Sequence, residues 1–170
     1  MGIPEDSKLF ISFGAIRPYK RIESAIEAFA RLGSTFQYLV VGQGPDEHYV
    51  ESLRRACAEV PNVHVVPERT TDEELASFMS LADAALFTYS KVLHSSAVVA
   101  ARSLGLPVLT SPLGSLPEYA SFDRGIHLLD SRPLRVQLEE FSNFGFHPSP
   151  SEYEWPNIAT SLKAFFADST

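Results

Sequence analysis

Six short apolar runs recur along the chain: Lys8–Ala15 (KLFISFGA), Gln37–Val41, Val63–Val66, Ala84–Phe87, Val108–Thr110 and Ile126–Leu129. Most lack the apolar–polar alternation of a sheet with one wet face, so they read as strands buried on both sides. Helix-patterned segments stand between them. Arg21–Leu32 carries Ile22, Ala25, Ile26, Phe29 and Leu32 on one stripe. Asp46–Val60 ends at Pro61-Asn62, and Thr71–Leu81 opens with a capping-box pattern, Thr71 followed three residues on by Glu74. Ser95–Leu104 is stopped by Gly105 and Pro107. Buried strands alternating with helices predict an α/β fold: a doubly wound parallel sheet of about six strands with helices on both faces. In such a sheet, ligands bind beyond the carboxyl ends of the strands.

At 170 residues, 45% of them hydrophobic, the chain is long enough for one well-packed core. The net charge of −7 and the lack of a basic run disfavour nucleic acid as a partner. The single cysteine, Cys57, rules out an internal disulfide framework and suits a reducing, cytoplasmic setting. It reads as a small core residue. Residues 1–7 have neither the basic nor the apolar part of a signal peptide and read as a linker. Residues 8–150 form the predicted domain, with the Pro- and Ser-rich stretch Gly145–Trp155 leading into a last helix at Asn157–Ala167. A helix over Leu134–Phe144 precedes that stretch.

Three loops follow strands and could carry chemistry. The first is Gly14-Ala15-Ile16-Arg17-Pro18-Tyr19-Lys20-Arg21, where a glycine precedes three cations. Gly14 permits close approach of a ligand to the backbone. Arg17 offers a planar fork and Lys20 a point charge, both suited to phosphate, although solvated surface charge would look the same. The second is the segment from Tyr89 into the helix at Ser95. Ser95 or Ser96 is a suitable cap, and no Asp or Glu stands in the first turn. The free N–H groups and positive dipole end there suit an external anion, or an ordinary serine-capped joint. The third, Ser111–Glu118, holds two prolines and a glycine and is predicted to be a shaped loop, not a helix. Its Glu118 could meet a sugar hydroxyl or simply face water. Gly42-Gln43-Gly44-Pro45 lacks the third glycine of a dinucleotide fingerprint and reads as a tight turn lining the cleft. The five histidines, His48, His64, His94, His127 and His147, show no paired metal-ligand spacing, and the aspartates are not grouped to hold a metal.

The pieces FGAIRPYKR, YLVVGQGP, NVHVV and ADAALFTYSKVLHSSAVVAARSLGLPVLTS, in this order, resemble the Rossmann-like C-terminal half of a two-domain GT-B glycosyltransferase. More narrowly they are similar to the retaining family 4 enzymes, over about residues 8–170. The resemblance implies that Arg17 and Lys20 act as the catalytic cations on the diphosphate of a nucleotide-sugar donor. Gly14 and the backbone at Leu93, His94, Ser95 and Ser96 would complete the diphosphate cradle. Val66, Pro67, Glu68 and Tyr89 would hold base and ribose, and Glu118 the sugar. Many family members carry two glutamates eight apart before and within this helix. Val92 and Ala100 stand at those positions here, as in a subgroup with a Leu-x-Ser-small motif.

By resemblance, then, the chain is expected to be the donor-binding part of a hexosyltransferase in polysaccharide biosynthesis, acting on a saccharide or lipid-linked acceptor. No metal or cofactor is expected. The 151–170 helix would return toward an acceptor-binding N-terminal domain. That absent domain would seat the enzyme at the inner membrane face, and the domain alone would be inactive. The rival expectation is a non-catalytic module that binds a nucleotide or a protein.

Overall fold

The computed structural model describes residues 2–4 and 6–141. Expectations for the end of the Leu134–Phe144 helix, for Gly145–Trp155 and for the helix at 157–167 lie outside them.

Six strands, β1 (Lys8–Phe13), β2 (Phe36–Val41), β3 (Val63–Val66), β4 (Ala84–Phe87), β5 (Val108–Thr110) and β6 (Ile126–Leu128), form one sheet in the order β3-β2-β1-β4-β5-β6. Every neighbouring pair is parallel, with Ile11 facing Leu39 on one side and Ala85 on the other. Strand order reverses between β1 and β4. The chain leaves these adjacent strands in opposite directions, which opens a crevice at their carboxyl ends.

Among the described residues six α-helices cover the sheet: α1 (Ile22–Phe29), α2 (Glu47–Cys57), α3 (Asp72–Leu81), α4 (Ser96–Ser103), α5 (Leu116–Phe122) and α6 (Leu134–Phe141). The period-2 geometry of β1 sends Phe10 and Ile11 to opposite faces, and each meets its own core. Phe10 packs with Ile26 and Phe29 of α1, Leu53 of α2 and Leu138 of α6. Ile11 packs with Met79 of α3, Val98 and Ala101 of α4 and Leu116 of α5. Truncating a fully buried Ile of this kind to Ala costs about 2–5 kcal/mol.

Local signals explain most helix ends. Thr71 and Glu74 form the capping box reciprocally at 3.2 and 2.8 Å. Helix α4 closes in a Schellman motif, with Gly105 N–H on the Arg102 carbonyl (2.8 Å) and Leu106 N–H on that of Ala101 (3.0 Å). Gly105, at φ 75°, takes the left-handed conformation that the motif requires. Beneath it, Arg102 and Asp123 form a wholly buried ion pair at 2.7 Å, which ties α4 to the turn before β6.

One expectation is corrected. Part of Ser111–Glu118 is not loop: α5 begins at Leu116, and Pro117 lies in its first turn. A first-turn N–H has no partner inside a helix anyway, so proline is tolerated there. Glu118 is exposed in that first turn.

Candidate functional site

The loops after β1 and β4 meet over the switch point. The Thr88 hydroxyl donates to the carbonyls of Lys20 (2.8 Å) and Arg21 (3.1 Å), and Ser90 N–H donates to the Tyr19 carbonyl (2.8 Å). The rings of Tyr19 and Tyr89 stack at 6.0 Å, and Tyr89 stacks on Phe87 at 5.6 Å. The loop after β2 supports them from below. Ile16 N–H donates to the Gln43 carbonyl at 2.9 Å, and Gly42 adopts φ 143° where a Cβ would strike the Gly14 carbonyl. So the Gly42–Pro45 stretch is the expected turn, and glycine is required there by contact as well as conformation.

The two leading cations have different surroundings. Pro18–Lys20 forms one turn of 3-10 helix that carries Lys20 inward. Lys20 is only 7% exposed, and its ammonium donates to the Phe13 carbonyl at 2.7 Å. Burial lowers its pKa from 10.5 to about 8. No acid among the described residues pairs with it. A charge kept in that state has unused donors for an anion. Gly14, at φ 84°, runs close beside it: a Cβ there would lie 3.3 Å from Lys20 Nζ. Arg17 is exposed and likewise free of any ion pair among the described residues.

Across the crevice, Ser95 is the N-cap of α4. Its hydroxyl accepts from Val98 N–H at 3.2 Å and pairs with the Tyr89 hydroxyl at 2.8 Å. Ser95 is buried and its side chain is thereby committed, while Ser96 is exposed. The N–H groups of Ser96 and Ala97 have no partner within the helix. The first turn carries no acid. His94 Nδ1 pairs with the Ser115 hydroxyl at 3.0 Å, and the Leu93 carbonyl accepts the Ser115 N–H at 2.9 Å. The α5 cap thus fixes the loop that leads into α4. Tyr19, Lys91, Val92, Leu93 and His94 line an open cleft of about 470 Å³ between the two loops.

The residues assigned to base and ribose are not all brought together. Val66 and Pro67 stand at the end of β3, where the Val66 carbonyl accepts Gly42 N–H at 3.0 Å. Pro67 lines a cavity with Gln43, Gly44 and Glu47, and Glu68 is exposed. Tyr89 follows β4, with β2 and β1 between, about 14 Å away at the usual strand spacing. Its ring is buried, which pushes its hydroxyl pKa up to about 12. Val92 and Ala100 pack against the second core and offer no polar group.

Residues 1–128 match the model of the family described as glycosyl transferases group 1. The chain belongs to that family. Among curated relatives, N-acetyl-alpha-D-glucosaminyl L-malate synthase of Bacillus anthracis is 25% identical over 122 residues, which are 69% of this chain and 30% of that protein. Among solved structures, sucrose-phosphate synthase from Thermosynechococcus elongatus matches with a TM-score of 0.75 at 18% identity, over 97% of this chain and 46% of that one. HepE of Anabaena in complex with UDP-glucose matches with a TM-score of 0.67 at 17% identity, over 81% and 40%. The chain therefore spans less than half the length of these relatives. The expected likeness to a GT-B half, and the doubly wound parallel fold, both hold for this group 1 glycosyl transferase chain.

Three contributors were missed in the sequence: Thr88, Tyr19 and Ser115. Each acts on a partner more than twenty residues away or on another loop, so no local spacing marks it. Cys57 is half-buried against the first core, and burial pushes its thiol up to about 11, away from nucleophilic character. Among the described residues, no helix is long and apolar enough to cross a membrane, and no group of His, Cys, Asp or Glu is placed to hold a metal ion.

Proposed function

We propose that this chain is the donor-binding domain of a retaining glycosyltransferase, and that it holds the diphosphate of a nucleotide-sugar in the crevice between β1 and β4. One observation carries the reading. A buried ammonium without an acid partner among the described residues and an acid-free helix N-terminus lie on the two loops that flank the switch point. Separately each is ordinary; together they describe an anion site.

Glycosyl transfer breaks the bond between the sugar and the diphosphate, and negative charge grows on the departing oxygen. Lys20, Arg17 and the amides of Ser96 and Ala97 are preorganised to meet that charge. The donors need no reorganisation as the bond breaks, so they favour the transition state over the bound ground state. On this account the chain supplies leaving-group stabilisation itself and no metal is required. Val66–Glu68 receive the base. Because Val92 and Ala100 are apolar, backbone groups replace side-chain carboxylates at the ribose. The related HepE structure is a complex with UDP-glucose, which makes UDP the first nucleotide to test.

The acceptor, a saccharide or a lipid-linked one, belongs to a second domain, since this chain spans less than half of its relatives. The isolated domain binds donor but transfers nothing, and a peripheral place at the inner membrane face would come through that second domain. A thermal-shift panel of UDP, GDP, ADP and their sugars, with and without EDTA, tests the reading. One nucleotide should raise Tm, equally in EDTA. No shift with any nucleoside diphosphate rejects it.

A further inference from the structure

A cavity of about 500 Å³ opens at the same edge of the sheet, on the far side of Tyr89, between α1 and the loops after β5 and β6. Its volume suits a small ligand. Three features mark it. Ser111 is only 9% exposed and lines the cavity, yet its hydroxyl has no hydrogen-bond partner among the described residues. That hydroxyl opens into the cavity, so its donor and its acceptor lone pairs are available to a ligand.

Arg21 also lines the cavity and is the one described non-glycine residue with positive φ, at 49°. The conformation is held by Arg21 N–H on the Pro18 carbonyl at 3.0 Å and by the Thr88 hydroxyl on the Arg21 carbonyl. Strain of this kind in a non-glycine residue is concentrated at functional positions. Arg21 makes no ion pair among the described residues. Among the described residues the lining's one acid, Asp130, is already committed: it accepts from Arg132 N–H and from the guanidinium, both at 2.8 Å. Arg132 is in turn shared with Glu140 at 2.9 Å. Arg21 is therefore the uncompensated charge. Around it, the hydroxyls of Ser24 and Ser131 and the apolar Leu113 and Leu129 complete a wall that is part hydroxyl and part hydrocarbon.

We propose that this cavity is a second binding site, separate from the diphosphate crevice, for an anionic monosaccharide. Arg21 meets the phosphate or carboxylate, Ser111 and its neighbouring hydroxyls meet the sugar hydroxyls, and the leucines cover the apolar face of the ring.

Calorimetric titration of the full chain tests it, with glucose 6-phosphate, glucuronate, glucose and inorganic phosphate as probes and UDP in parallel. The variants are Arg21→Gly, which relieves the positive φ while removing the cation, and Ser111→Ala. Saturable binding of glucose 6-phosphate or glucuronate should exceed that of glucose. It should fall about tenfold or more in Arg21→Gly and about two- to tenfold in Ser111→Ala. Arg21→Gly should melt no lower than the parent, so its loss of binding cannot be a loss of fold. UDP affinity should be unchanged in both. Glucose 6-phosphate binding means a phosphosugar site and glucuronate binding a uronate site, each supporting the proposal. It is overturned by no saturable binding at millimolar concentration, by inorganic phosphate binding as tightly as the sugars, by undiminished binding in both variants, or by an equal loss of UDP affinity.

Discussion

Lys20 and Phe13 are joined by a 2.7 Å hydrogen bond from the buried ammonium to a strand-end carbonyl, and this bond holds the amine at the switch point of the sheet. The carbonyl satisfies one N–H of three and neutralises nothing. That is why burial lowers the Lys20 pKa from 10.5 to about 8.

The pH dependence follows from the sign of that shift. Only the ammonium form attracts a diphosphate, and the anion in turn raises the pKa. Affinity for a nucleotide-sugar, whose diphosphate does not titrate in this range, should be flat below pH 7, fall as pH rises through about 8, and be accompanied there by proton uptake. For folding, the penalty for holding the charge is fully present below about pH 8 and disappears as pH rises toward 10.5, so this group alone makes the fold more stable across that window. Calorimetry in buffers of different ionisation enthalpy measures the uptake. Lys20→Ala should abolish it.

Ser96→Asp separates fold from function. An acid at a helix N-terminus stabilises by roughly 0.3–1 kcal/mol, so Tm should hold or rise. The same charge sits where the diphosphate must lie, so nucleotide binding should be lost. Ser96→Gly, by contrast, keeps the backbone open and should bind with little change. A Ser96→Asp protein that binds UDP at the parent affinity would show that the α4 amides are not used.

Much of this was visible in the sequence, and the division has a physical basis. The caps at Thr71 and Ser95, and the Gly105 stop, depend on residues within five positions of each other, so spacing reveals them. The burial of Lys20 does not. A basic cluster after a strand looks like solvated charge until the 3-10 turn at Pro18 carries one member inward. Helix α5 was hidden because Gly114 and Pro117 signal a turn, while the α5 contacts that stabilise it come from the second core. The commitment of the Ser95 hydroxyl to Tyr89 arises from tertiary packing and has no sequence mark.

Gly42→Ala should disturb the site without touching a ligand. Its Cβ would strike the Gly14 carbonyl, so either the β1 loop or the β2 loop must move. A loss of about 1–3 kcal/mol in stability is expected from the strained φ and the clash together. A drop in nucleotide affinity greater than that of a surface Ala control should accompany it, measured by denaturant melts and calorimetry.

The Arg102–Asp123 pair should respond asymmetrically. Asp123→Ala removes the buried carboxylate to which Arg102 Nε donates at 2.7 Å and should cost about 3–5 kcal/mol. Replacing both by apolar residues of similar volume should cost much less than the single change. Urea melts of the parent and both variants measure the difference; equal costs would mean that packing, not charge, decides it.

An amide chemical-shift titration of the full chain with UDP, repeated on Lys20→Ala, locates the diphosphate directly. The diphosphate reading predicts the largest perturbations at Gly14–Lys20 and at His94–Ala97, on both sides of the crevice, saturating together and weakened about tenfold or more in the variant. Perturbations confined to other loops, or identical titrations in the two proteins, would contradict it.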